Sequence, residues 1–214
     1  YDLTQNICSC NFEIQKTSGG SIMEHKPYHH GNLKVALIEA GIETINEFGE
    51  AGLSLRKVAA KCNVSPAAPY AHFENKEDLI HAMQEHVTEQ FMQILEASVQ
   101  NEKKGSPEAI LKMGEAYIHF FMEHPHYFRF LFFTPYLKIH LSLTDEENIY
   151  PPYRLFRTYS IAFLVKSNHS DDVILRQIVN MWATVQGIAL IATQENVTYD
   201  GDWKTDLLKI LSNC

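Results

Sequence analysis

The sequence predicts an all-α protein: an N-terminal three-helix unit containing a helix-turn-helix, followed by a larger helical domain. Three observations carry this expectation. From Gly31 onward apolar residues recur at the three- and four-residue spacing of amphipathic helices, strand patterns are almost absent, and Gly, Pro, Ser and Asn gather between the periodic stretches.

Bulk properties narrow the function. The chain has 214 residues, 45% hydrophobic and 21% charged, enough for one large or two small domains with a real core. Apolar stretches such as 128–133, itself interrupted by Arg129, and 188–192 are too short to span a bilayer, and the first residues lack the pattern of a signal peptide. A cytoplasmic protein with no membrane partner is expected. Four cysteines (Cys8, Cys10, Cys62, Cys214) are too few and too scattered for a disulfide framework, so they read as reduced thiols. The net charge of −8 argues against coating nucleic acid non-specifically, which leaves only a local DNA contact.

Residues 1–22 lack helical periodicity and end near Ser18-Gly19-Gly20-Ser21, ahead of Met23. They read as a disordered or non-native extension. Codons for Ser18-Gly19-Gly20 can contain a ribosome-binding sequence, which is the basis for reading Met23 as the start. Cys8-Ser9-Cys10 has no partners at zinc-ligand spacing.

The first helix follows, with Leu37, Gly41, Thr44 and Phe48 on one stripe beside Ile38, Ile42 and Ile45. Glu39, Glu43 and Glu47 recur on the opposite side as a solvated face. Gly49 and Gly52 stop it, and Ser54 is placed to cap a helix over 55–61. Cys62-Asn63-Val64 forms a tight turn in which Asn63 takes the left-handed backbone. A short helix over 65–72 is expected next, with Ser65 as cap and Pro66 at its first position. A long helix begins near Asn75 and keeps Leu79, Met83, Val87, Phe91, Ile94 and Leu95 on one side. Beyond Gly105-Ser106-Pro107, helices are expected over 107–123, 125–135, 149–167, 171–196 and 203–213, joined by short polar linkers. The expected domains are 23–78 for the helix-turn-helix and 79–214 for the helical remainder.

Val58 and Val64 are the apolar residues that hold the 55–61 and 65–72 helices together, and Ala59 is small where they cross. The second helix presents small side chains, so its N-terminal end can enter a major groove. Leu53-Ser54-Leu55-Arg56-Lys57-Val58-Ala59 through Val64-Ser65, then Tyr70-Ala71-His72-Phe73-Glu74-Asn75-Lys76-Glu77-Asp78-Leu79, resembles the DNA-binding domain of TetR/AcrR regulators over about residues 29–79. The resemblance implies phosphate contacts from Tyr70, His72 and Lys76 and a core role for Phe73. Lys76 also opens a helix whose positive end favours phosphate. Two positions depart from the pattern: Asn63 stands where Gly is usual, and Pro69 where Leu is usual. A proline there removes a hydrogen bond, and Pro66, Ala67, Ala68 and Pro69 offer few donors to bases. Base reading then rests on apolar contact, on Arg56, or on DNA shape. The expected DNA-binding set is Lys34, Ser54, Arg56, Ser65, Pro66, Ala67, Ala68, Tyr70, His72 and Lys76. Six Lys/Arg face eight Asp/Glu between Met23 and Asp78, yet the cations gather at Lys26, Lys34, Arg56, Lys57 and Lys76, with His29, His30 and His72 beside them.

In the second half, 116–133 and the series Tyr153, Phe156, Tyr159, Phe163 concentrate aromatic residues, which can line a ligand cavity. Trp182-Ala183-Thr184-Val185-Gln186-Gly187 resembles the Trp-x-x-x-His-Gly motif of a TetR C-terminal subgroup, with Gln186 in place of His. The expected ligand-binding set is His119, Phe120, Tyr127, Phe132, Phe156, Tyr159, Phe163, Trp182 and Gln186. His119, His124 and His126 have no nearby cysteine, and Pro125 interrupts them, so no metal is expected. No catalytic triad or phosphate loop can be assembled, and neither an enzyme nor a cofactor is expected. The resemblance implies a homodimer through the last two helices, double-stranded operator DNA as partner, and repression relieved by a small, largely apolar effector. The alternative is a small-molecule-binding or protein-interaction module that does not bind DNA.

Overall fold

The computed structural model describes residues 33–144, 149–167 and 169–212. The readings placed on 1–22, on Lys26, His29 and His30, and on Cys214 lie outside the described residues. Among the described residues there are eight α-helices and no strand: α1 (Leu33–Phe48), α2 (Leu55–Lys61), α3 (Lys76–Val99), α4 (Pro107–Glu123), α5 (Pro125–Phe132), α6 (Pro151–Leu164), α7 (Asp171–Ala192) and α8 (Trp203–Ser212). The described residues form one compact unit.

Continuity between the N-terminal helices and the rest comes from α3, whose 24 residues run through both. Its first half packs on α1, where Gly41 lets Met83 approach so closely that a Cβ would sit 2.8 Å from the Met83 sulfur. Its second half packs on α4, where Phe91 meets the rings of Tyr117, Phe120 and Phe121 at 5.1, 5.2 and 4.9 Å. Leu37, Ile42, Val58, Leu79, Met83, Val87 and Phe91 are fully buried along this seam. Each such side chain contributes about 1.5–3 kcal/mol through burial alone. Around α4 gather α3, α5, α6, α7 and α8, which makes α4 the centre of the C-terminal half.

Local signals account for most helix ends. Ser54 accepts from the Lys57 amide at 3.3 Å, Asn75 from Asp78 at 2.8 Å and Ser106 from Ala109 at 3.2 Å, each closing a free helix start. Gly105, at φ 78°, lies so close to α6 that a Cβ would stand 2.5 Å from the Ala162 carbonyl oxygen. Arg157 is buried and donates to the carbonyls of Ser142 and Thr144 at 3.4 and 2.5 Å, tying α6 to the preceding loop.

Several expected boundaries shift. The helix expected over 149–167 starts at Pro151, because Tyr150 precedes proline and stays extended at ψ 116°, and it tightens to a 3₁₀ turn over Val165–Ser167. That expected over 125–135 ends at Phe132, ahead of Pro135, and that over 171–196 ends at Ala192. Phe48, placed on the buried stripe of α1, is 66% exposed. It is the last helical residue, and Gly49 at φ 68° turns the chain away beside it. Ile94, placed on the buried side of α3, is 44% exposed in a shallow groove with Phe120 and His124. The buried stripe, 79, 83, 87, 91, 95 and 99, recurs every four residues and leaves position 94 at its edge.

Helix α7 has a stretch with mean hydropathy 1.2 and, by length and composition alone, is the one described helix able to cross a membrane. Separate apolar runs concealed this, because the residues between them are nearly all uncharged, Arg176 being the exception. Only 28% of that stretch is fully buried, but most of its apolar residues are half-buried, and Ile191 is the one large apolar residue of α7 that is exposed.

Candidate functional site

The α2–turn–second-element unit is built from short-range bonds. Asn63 takes φ 55°, the left-handed conformation expected of it, and the Val64 amide returns to Ala59 at 3.0 Å. Val58 and Ala59 are fully buried beneath the turn, and Val64 is half-buried against the core. The second element corrects the expectation of a helix over 65–72: a turn at 66–67 leads into a 3₁₀ helix, Ala68–Ala71. Its amides bond three residues back, Ala68 to Ser65 at 2.9 Å, Tyr70 to Ala67 at 3.2 Å and His72 to Pro69 at 2.9 Å. Pro69 explains this: in an α-helix the residue-69 amide would bond Ser65, and proline has no amide to give. Its ring is buried instead, next to Phe73 at 2% exposure.

Around this unit Lys34, Arg56, Lys57, Ser65, Pro66, Ala67, Tyr70 and His72 are exposed, and Ala68 is half-exposed. Lys34, Arg56 and Lys57 have no ion-pair partner among the described residues, whereas Lys61 is held by Glu43 and Glu47 at 3.0 and 3.1 Å. Tyr70 is 55% exposed, a large aromatic at the surface without a core role. Ser54 and Lys76 are engaged internally. Ser54 caps α2, and the Lys76 ammonium donates to the Glu50 carbonyl at 2.9 Å, with the Glu50 carboxylate at 3.7 Å.

Behind this unit lies a polar joint that the sequence did not reveal. Glu39 of α1, read as solvated, is half-buried; its Oε1 accepts from His86 Nε2 of α3 at 2.7 Å and from the Tyr127 hydroxyl of α5 at 2.5 Å. Gln90 donates to Tyr127 at 3.3 Å, and Asn46 of α1 donates to the His126 carbonyl at 2.9 Å. Burial opposes the Glu39 charge, but the bonds from His86 and Tyr127 outweigh it and hold the carboxyl below its ordinary range. Burial pushes His126 down and, with the Glu39 bond, pushes Tyr127 up. The regular Glu39-Glu43-Glu47 spacing hid this, since its partners lie 47 and 88 residues away.

The C-terminal half holds a cavity of about 460 Å³ among α4, α6, α7 and α8. Of the residues expected to bind a ligand, Phe156, Phe163 and Trp182 line it. Phe120, Tyr127 and Phe132 instead belong to the aromatic cluster joining α3, α4 and α5. Tyr159 lies under the Lys104 ammonium at 5.8 Å, His119 faces Glu115 at 4.0 Å, and Gln186 is half-buried on α7. Residues not singled out from sequence complete the wall, among them Met113, Tyr117, Gln177, Val185 and Leu211. Helical spacing marks these as apolar core, and nothing local separates a cavity wall from a packed one.

Residues 37–83 match the family model described as bacterial regulatory proteins, tetR family. The tetracycline repressor protein class G of Vibrio anguillarum is 42% identical over 52 residues, 24% of this chain; the match spans only 25% of that repressor's length. A bacterial regulatory protein in the tetR family from Rhodococcus RHA1 superposes with a TM-score of 0.60 at 15% identity, covering 84% of this chain and 93% of that one. A TetR family transcription regulator from Marinobacter aquaeolei VT8 gives 0.55 at 16% identity, covering 84% and 93%. The fold of this chain is therefore of TetR type, a helix-turn-helix domain at the N-terminus followed by a helical C-terminal domain.

Proposed function

We propose that this chain is a DNA-binding transcriptional regulator that acts as a homodimer and represses until a small, largely apolar effector releases it. The observation that carries this reading is the helix-turn-helix, within the stretch that the tetR-family model matches, with exposed Tyr70 and with Lys34, Arg56 and Lys57 free of ion pairs among the described residues around it. Phosphate contacts by these groups supply affinity and position the unit, while the small side chains at 66–68 approach base edges. Two copies are needed because successive major grooves lie about 34–36 Å apart. The exposed Ile191 of α7 and Leu208 of α8, with only 28% of the apolar stretch of α7 fully buried, support pairing through these helices. The match of Trp182 to Gly187 with the Trp-His-Gly subgroup belongs to this proposal; Trp182 sits against Tyr117, Tyr153 and Phe156 on the cavity wall. A ligand in that cavity shifts α4 and α7, and α4 meets α3, which continues into the DNA-binding end; the dimer then favours a spacing that no longer fits DNA.

The 3₁₀ second element with few donors favours one rival, a module that holds ligand without reading DNA. An electrophoretic shift of the protein with DNA upstream of its own gene decides between them. A complex that weakens at higher salt and is lost with Tyr70→Ala supports the regulator; no complex at any salt supports the rival.

A further inference from the structure

We propose that the second element of the helix-turn-helix reads thymine methyl groups in the major groove, through the methyls of Ala67 and Ala68 and the ring of Pro66, rather than by hydrogen bonds to base edges. This deepens the DNA-binding reading and rests on it. Between Ser65 and Tyr70 every side chain that reaches the surface is apolar: Pro66 and Ala67 are exposed and Ala68 is half-exposed, while Pro69 is buried. Side chains three apart share a face in a 3₁₀ helix, so Ala67 falls on the face of Tyr70, and Ala68 on that of the exposed Ala71.

In the major groove guanine, adenine and cytosine present hydrogen-bond donors and acceptors, and thymine alone adds a methyl group. Side chains without a polar atom leave the polar edges unsatisfied where they exclude water, and they gain from thymine by burying apolar surface on both partners. Alanine methyls are short, so the same absence of long side chains that removes donors also lets the backbone come near enough for methyl-to-methyl contact. The polar groups nearby have other places. Arg56 and Lys57 lie on α2, the helix that crosses the phosphate backbone in this motif. A hydroxyl such as that of Ser65 both donates and accepts, so it separates bases poorly. Lys34, Arg56 and Lys57 are exposed and free of ion pairs among the described residues, and their attraction to phosphate brings the apolar element into the groove.

The test takes the full chain and a binding site enriched from random duplex DNA, with each thymine in turn replaced by deoxyuridine, which removes the C5 methyl and keeps every hydrogen-bonding group. Fluorescence anisotropy is expected to show about fourfold weaker binding at one or more positions in each half-site, the worth of one buried methyl. At those positions 5-methylcytosine paired with guanine is expected to restore the affinity to within about twofold, and plain cytosine is not. Ala67→Gly or Ala68→Gly should weaken binding by a similar factor and abolish the deoxyuridine effect at the position that residue touches. The nucleotide substitutions need no variant, so they stand even where glycine loosens the element. Specific binding that survives replacement of every thymine with less than about twofold loss overturns the methyl reading and leaves DNA binding in place. No complex with any duplex overturns both.

Discussion

At Asn63 the backbone sits at φ 55°, where a side chain with a Cβ costs about 1–2 kcal/mol unless it is short and polar. Asn63→Ala is expected to lower stability by about that amount in urea unfolding, while Asn63→Gly stays near the parent protein. Equal loss in both variants would place the effect in the side chain rather than the backbone. The same residue was legible from sequence because its role is local, as were the Ser54 and Asn75 caps, whose partners lie three residues on. Glu39 was not legible, because its role depends on partners from α3 and α5. Its carboxyl is held below the ordinary value, so its contribution is present at neutral pH and is lost as pH falls through its folded value. His126 titrates below the ordinary histidine value of 6.5, which costs stability in the same direction as pH drops. Stability of the parent protein is therefore expected to fall from neutral pH into acid more steeply than that of Glu39→Gln. Parallel stability-versus-pH curves for the two would remove Glu39 from the joint.

For whole elements, periodicity located every helix because each buries a stripe against its neighbours, and ends were set by prolines and caps that the sequence displays. The exception is the second element of the helix-turn-helix. There the pattern of a cap, Pro66 and small residues reads as an α-helix, and one missing amide at Pro69 turns it into a 3₁₀ helix. Pro69→Leu restores that amide opposite the Ser65 carbonyl. It is expected to slow amide hydrogen exchange at residues 70–73 and to add helical signal in circular dichroism. Unchanged exchange would mean that packing around Phe73, rather than proline, sets the conformation.

In the whole molecule, α3 links the DNA-binding end to α4, and α4 carries one wall of the cavity. This arrangement could not be read from the sequence in detail, since a cavity differs from a core only in how the same apolar residues meet across α4, α6, α7 and α8. Under the proposed function a second copy of the chain pairs along α7 and α8, and the DNA site should carry the twofold symmetry of that pair. The decisive measurement is selection of binding sites from random duplex DNA, followed by fluorescence anisotropy of the winning site at rising salt. A regulator of this kind yields an inverted repeat with half-sites about one helical turn apart, and its affinity falls with a log–log slope of about −0.9 for each phosphate contacted. No enrichment over the starting pool, or binding indifferent to salt, would contradict DNA reading by this chain.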